Sequence, residues 1–193
     1  MDDLVCRAMA KWPDVPAVFG WLRLDQRGRW WIAGEKVQNP AICQFIGRNY
    51  LADEQGRYLF QNGPQRVFVS IDIAPWVVAL AHTGAQWVLS THTGQPFPVP
   101  AAGLDESGNL LLQGPCGLGV MDERDLAQAG ELITDLAGHI ADPDQLAGWM
   151  SGDDTLALYL RGDGIGTLPL QRWPSDCMER RFGFVRRPLS EAG

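Results

Sequence analysis

The fold turns on the stretch Phe19-Gly20-Trp21-Leu22-Arg23-Leu24-Asp25-Gln26-Arg27-Gly28-Arg29-Trp30-Trp31-Ile32-Ala33. Phe19 to Leu24 alternates with the period of a strand, Asp25 to Gly28 turns the chain, and Arg29 to Ala33 returns it, with Gly28 supplying a positive φ. Trp30 and Trp31 are adjacent on the returning strand, so their rings face opposite sides. Outward from this hairpin, Gly34 bends the chain and Asn39-Pro40 starts a helix, Asn39 as cap and Pro40 in the first turn. Ile42, Phe45, Ile46 and Tyr50 would form its apolar face. Asp53-Glu54-Gln55-Gly56 then echoes the first turn and feeds a strand over Arg57–Phe60. A turn at Asn62-Gly63-Pro64 leads to a strand over Gln65–Ile71 with Val67, Val69 and Ile71 on one side.

Before this stretch, Asp2 or Asp3 caps a helix with Leu4, Val5, Ala8, Met9 and Trp12 at helical spacing, ended by Pro13 and Pro16. After it, Trp76–Leu80 and Gln86–Thr91 form another hairpin, and Pro96, Pro98 and Pro100 mark a semi-rigid connection. Leu104-Asp105-x-x-Gly108 followed by Gly114 then repeats Leu24-Asp25-x-x-Gly28 followed by Gly34 at the same spacing. A helix follows each repeat, the second capped by Asp122 with Leu126, Ala129, Leu132, Ile133 and Leu136 on its buried face. Asp142-Pro143 opens a short helix with Leu146 and Trp149, Thr155–Leu160 and Ile165–Leu170 are strands, and Phe182–Arg186 closes the chain. The expected class is α+β, built as two tandem, duplicated units of antiparallel strands with flanking helices. The first unit is expected over residues 1–93, the Pro-rich connection over 94–103, and the second unit, with acidic helices, over 104–193.

At 193 residues, 46% hydrophobic and 20% charged, the chain can bury a core without staples. Cys6, Cys43, Cys116 and Cys177 form no C-x-x-C pair, which argues against a zinc knuckle or disulfide framework and for reduced thiols in the cytoplasm. No cofactor and no metal are expected. No apolar run has the length of a membrane span, and a net charge of −7 disfavours nucleic acid. Residues 122–154 hold nine acids against Arg124 alone, a solvated face or a docking surface for a basic partner.

The run from Gly20-Trp21 through Asp25-x-x-Gly28-x-Trp30, the Pro40 helix, Arg48, Asp53-x-x-Gly56-x-Tyr58, Gly63, Val67-x-Val69 and Asp72-Ile73-Ala74-Pro75-Trp76 resembles an uncharacterised bacterial family of small proteins. The resemblance covers residues 19–80 and implies repeated β-rich motifs flanked by helices and a role in signalling, with no catalytic residue to carry over.

Two chemistries are open. Arg48-Asn49-Tyr50 at a helix end and Gln61-Asn62-Gly63-Pro64-Gln65-Arg66 at a strand turn offer two guanidiniums with amide partners, a clamp for a small anionic ligand. The bland alternative is a helix C-terminus held by Arg48 and a turn formed by Asn62 and Gly63. Cys116 in a Gly-rich loop and His92 at a strand end are candidates for a hydrolase or transferase; the alternatives are a packing cysteine and a turn histidine. Eight tryptophans exceed the needs of one small core, which suggests a protein partner or a homodimer. The expectation is therefore a non-enzymatic binding or interaction module, regulatory or signalling in role.

Overall fold

The computed structural model describes residues 1–11 and 15–190. Trp12 and Pro13, placed by the sequence on the first helix and at its end, lie outside the described residues, as does the Leu4 side chain. Two compact units are formed, one by Met1–Pro75 with Glu179–Gly193 and the other by Trp76–Met178.

The first unit runs α1 (Asp3–Lys11), β1 (Val18–Leu24), β2 (Trp30–Ile32), β3 (Glu35–Lys36), α2 (Pro40–Arg48), β4 (Tyr50–Ala52), β5 (Tyr58–Asn62) and β6 (Gln65–Ile71). These strands form a six-stranded sheet in the order β3-β2-β1-β6-β5-β4. Its central pair β1–β6 is parallel and the other pairs are antiparallel. Trp30 is buried and meets Tyr50 edge to face at 5.2 Å, while Trp31 lies half-buried with the Arg23 guanidinium 4.8 Å above its ring. The opposed faces expected from the Trp30-Trp31 pair are thus realised. Asn39 caps α2 as expected, its side chain accepting from the Ala41 and Ile42 amides. Ile42, expected on the buried face, is instead 45% exposed, and Tyr50 belongs to β4.

The second unit runs β7 (Trp76–Thr83), β8 (Gln86–Thr91), β9 (Ala101–Leu104), β10 (Leu110–Gly114), β11 (Gly117–Met121), α3 (Leu126–Gly130), β12 (Ile133–Thr134), α4 (Pro143–Met150), β13 (Tyr159–Gly162) and β14 (Gly166–Arg172). Helix α5 (Met178–Phe182) follows. The eight-stranded sheet has the order β12-β13-β14-β9-β10-β11-β7-β8. Read from β11 to β12, six of its strands reproduce the first sheet: β11, β10, β9, β14, β13 and β12 stand where β3, β2, β1, β6, β5 and β4 stand. The central pair is again parallel, and its register is equivalent. Leu24 faces Ile71 and Leu104 faces Arg172. The next residue in each case returns a hydrogen bond, from the Asp72 amide to Leu24 O (3.1 Å) and from the Trp173 amide to Leu104 O (2.8 Å). A helix sits at the same point of both units, α2 between β3 and β4 and α3 between β11 and β12. The duplication expected from five coincident positions is therefore present in strand order, strand sense and register.

One turn design builds both units. Asp25 Oδ1 accepts from the amides of Arg27 (2.9 Å) and Arg29 (3.0 Å). Asp53 does the same for Gln55 and Arg57, and Asp105 for Ser107 and Asn109. The residue four positions on then binds Oδ2, through Arg29 Nε, Arg57 Nε or Asn109 Nδ2, at 2.7 Å in each case. Thr91–Gln95 and Asp135–His139 are variants of the same turn. The fourth residue of all five turns is a glycine with φ between +70° and +94°, a conformation other residues adopt only under strain.

The Asp135 turn accounts for one correction. The helix expected from Leu126 to Leu136 stops at Gly130, and the chain enters β12 and the turn at Asp135-Leu136-Ala137-Gly138. Asp122 does not cap it: Asp125 holds the N-cap position without a capping bond, and its Oδ2 accepts from the Leu80 amide at 2.9 Å. A second correction concerns the division of the chain. β7 and β8, grouped by the sequence with residues 1–93, join the second sheet through the parallel pair β11–β7, so the compact units part at Pro75 rather than within 94–103. A strand over Thr155–Leu160 starts later, at Tyr159. Among the described residues, no helix is long and apolar enough to cross a membrane.

Candidate functional site

The Arg48 region is occupied by the protein's own groups. Arg48 Nε lies 3.2 Å from Asp2 Oδ1, and this contact lowers the Asp2 carboxyl below the ordinary range. Asn49 is fully buried, accepting the Asp2 amide at 2.8 Å and donating to Phe45 O at 3.0 Å, so it ties the start of α1 to the end of α2. The Tyr50 hydroxyl donates to Pro75 O at 3.0 Å, and burial, with Tyr58 nearby, raises it well above the ordinary phenol. Gln61 is buried and donates to Gly63 O at 2.8 Å, closing the β5–β6 turn in which Asn62 is exposed. Arg66 is exposed and makes no ion pair among the described residues. Most of the expected clamp thus serves to hold helix ends and a turn.

Cys116 and His92 are gathered around Trp76. The Trp76 indole donates to Cys116 O at 2.9 Å, and its ring stands 5.7 Å from that of His92. His92 Nδ1 accepts from the Val77 amide at 3.3 Å, and burial pushes its pKa down to about 3. Partial desolvation also raises the Cys116 thiol, although the residue is exposed. A nucleophilic pair needs a lowered thiol beside an imidazole that can take its proton, and both shifts run the other way.

The acids of residues 122–154 are largely engaged. Asp122 binds the Arg124 guanidinium, Asp125 the Leu80 amide and Asp135 the Gly138 and His139 amides. Asp142 forms a capping box with Gln145 on α4, Asp153 accepts from Thr155, and Asp154 pairs with Arg172 at 2.7 Å. The acidity follows from turn and cap chemistry, yet its charge remains. The first unit carries 13 basic and 10 acidic residues, a net of +3, and the second 3 and 13, a net of −10.

The second unit holds a cleft of about 330 Å³ at the carboxyl ends of β9 and β14. Leu104 and Asp105 enter it from β9 and its turn, Trp149 and Met150 from the last turn of α4, and Arg172 and Trp173 from the end of β14. Arg172 spans the floor: Nε donates to Trp149 O (2.7 Å), Nη2 to Asp153 O (3.0 Å) and Nη1 to Asp154, while its guanidinium rests 4.7 Å from the Trp149 ring centre. One wall is closed by Glu106, which accepts the Ser175 amide at 3.0 Å and the Ser175 hydroxyl. Asp176 is exposed at the rim and makes no ion pair among the described residues. Three acidic residues, Asp105, Glu106 and Asp176, therefore line the cleft beside a single guanidinium already matched by Asp154, although the Asp105 carboxylate is bonded within its own turn. The sequence marks Leu104 and Asp105 only as part of a turn and Trp149 only as part of a helix, and nothing local joins them to Glu106, Met150, Arg172 or Asp176. Among the described residues, no group of three His, Cys, Asp or Glu side chains could hold a metal ion.

A family model described as "Protein of unknown function (DUF2946)", under the label DUF2944, matches residues 1–189. No curated protein matches the chain. A DUF1285 family protein from Silicibacter pomeroyi DSS-3 is similar in structure over 88% of this chain and 95% of its own, with a TM-score of 0.51 at 18% identity. A second DUF1285 family protein, from Shewanella baltica OS155, is similar over 55% and 87%, with a TM-score of 0.42 at 15% identity. The first likeness shows a shared fold.

Proposed function

We propose a binding role for this chain, which belongs to the DUF2944 family of proteins of unknown function: it is a small-molecule binding module with its site in the cleft at the ends of β9 and β14. The observation that carries this reading is the cleft's composition, an apolar wall of Leu104, Trp149 and Met150 beneath carboxylates that outnumber the one, already paired, guanidinium. Such a lining favours a ligand with a positively charged group and an apolar body, and the net charge of −10 on the unit draws cations towards it. Titration calorimetry tests it. n-Butylammonium is expected to bind and butyrate not to, and Glu106→Gln with Asp176→Asn is expected to weaken the amine about tenfold at low salt. Equal heats for the two ions, or an unchanged affinity in the double variant, would remove the reading.

A second reading rests on a separate observation. In the first unit, Arg186 and Arg187 line a recess of about 340 Å³ with Ile71, Asp72 and Glu179, and Ile71 is the register equivalent of Arg172. Arg187 is exposed and makes no ion pair among the described residues. On this reading the small anionic ligand expected from the sequence would meet Arg187 here, beside Asp72 and Glu179, in place of Arg48, whose guanidinium Asp2 holds.

A further inference from the structure

Beside the cleft, the second unit has a partly open apolar pocket of about 120 Å³. Leu110 from β10, Leu126 and Ala129 from α3, Ile133 from β12 and Leu146 from α4 line it, and none of these side chains carries a polar atom. Leu104 and Met150 line both the cavity and the cleft, so the two spaces meet at this pair. For scale, an apolar cavity of roughly 150 Å³ admits a molecule the size of benzene, so a pocket of this volume has room for a short hydrocarbon chain. The partition is adaptable on one side, because methionine is unbranched and reshapes at little cost.

The geometry points to an amphiphilic ammonium ion as the ligand class, a primary alkylamine or arylalkylamine whose hydrocarbon part passes Met150 into the cavity while its charged end stays among Glu106 and Asp176. This rests on the binding reading of the cleft and adds the chain-length requirement. The side chains of Leu110, Leu126, Ala129, Ile133 and Leu146 offer no partner to a polar tail. The rim supplies carboxylates where the head must remain hydrated or paired. Head and tail are thus sorted by the two spaces rather than by one pocket.

A calorimetric series of n-alkylammonium ions from methyl to hexyl, with phenethylammonium beside them, tests the assignment on the full chain. Affinity is expected to rise roughly fourfold with each methylene until the cavity is filled, then to level off. The binding heat-capacity change is expected to grow more negative over the same members. Ala129→Leu, which fills the cavity from α3, is expected to flatten the series while leaving methylammonium unchanged. Methylammonium and butylammonium binding alike on the wild-type chain would overturn the inference and leave the cleft reading standing. If none of the amines bound, both would fall. Should Ala129→Leu not fold, the wild-type series and its heat capacities decide the matter alone.

Discussion

Gly56→Ala is expected to lower the stability of the first unit by about 4 kcal/mol. Gly56 has φ +74°, where an alanine is strained by about 1–2 kcal/mol. The larger part is packing. A Cβ at this position would stand 2.1 Å from Gly183 O and 3.1 Å from Phe184 Cα, both backbone atoms with no side chain to swing aside. The segment that must retreat is pinned from both ends, by the Val185 amide on Gly56 O (3.0 Å) and the Ile71 amide on Arg186 O (2.8 Å), and it carries the buried Phe184. Gly34→Ala is the control, since Gly34 has φ +85° and nothing within 4 Å of its would-be Cβ. Urea unfolding of the two variants should separate strain from packing, with Gly34→Ala losing no more than about 2 kcal/mol. Equal losses would mean that the 183–186 segment is not held against the Asp53 turn.

Asp25→Ala is expected to lose about 3 kcal/mol at neutral pH. The carboxylate is 5% exposed and accepts four N–H groups: the Arg27 and Arg29 amides, Arg29 Nε at 2.7 Å and Trp31 Nε1 at 2.8 Å. Truncation strands the two amides and the indole, whereas the Arg29 side chain, one third exposed, recovers part of its hydration. The same contacts set a pH dependence. Burial acts to raise the Asp25 carboxyl, and the bonds from the Arg29 amide, Trp31, the Arg29 guanidinium and the Arg27 amide outweigh it, so the group titrates below the ordinary range. A depressed folded-state value gives stability that is complete above the unfolded aspartate value near pH 4 and fades as pH falls through the folded value. Asp25→Ala should therefore flatten the acid limb of the stability curve, and the difference from wild type should shrink between about pH 5 and pH 2. A difference that is constant over that window would show that the carboxylate is not held ionised by these donors.

Local chemistry made much of this fold legible. The Asp-x-x-Gly turns at 25–28, 53–56 and 105–108 could be read directly because one side chain organises each of them with its immediate neighbours. The turn at 135–138 has the same letters, but Leu126, Ala129, Leu132, Ile133 and Leu136 also fit a helical face, so the pattern predicts a helix where Ile133 is at home in a strand. The hairpin of β7 and β8 was visible, but its membership of the second sheet was not. That membership depends on Gly119 pairing with Trp76 across 43 residues, a contact that no local pattern specifies.

The cleft was hidden for the same reason. Leu104, Trp149 and Arg172 come from three separate elements and converge only once β9 and β14 lie parallel. Arg48 failed in the opposite direction: its residue type was plain, but Asp2, which holds it, sits 46 positions earlier. Sequence shows which side chains can bind an ion. The fold decides which of them already have a partner.

The most direct test of the cleft as a ligand site is amide chemical-shift mapping of the 21.3 kDa chain during titration with n-butylammonium. The expected result is a saturable set of shifts confined to the cleft and the apolar space beside it, residues 104–110, 126–133, 146–150 and 172–176, with the Trp149 indole among them. Shifts that never saturate, or that gather elsewhere, for example around Arg186 and Arg187, would contradict the assignment of the binding site to the ends of β9 and β14.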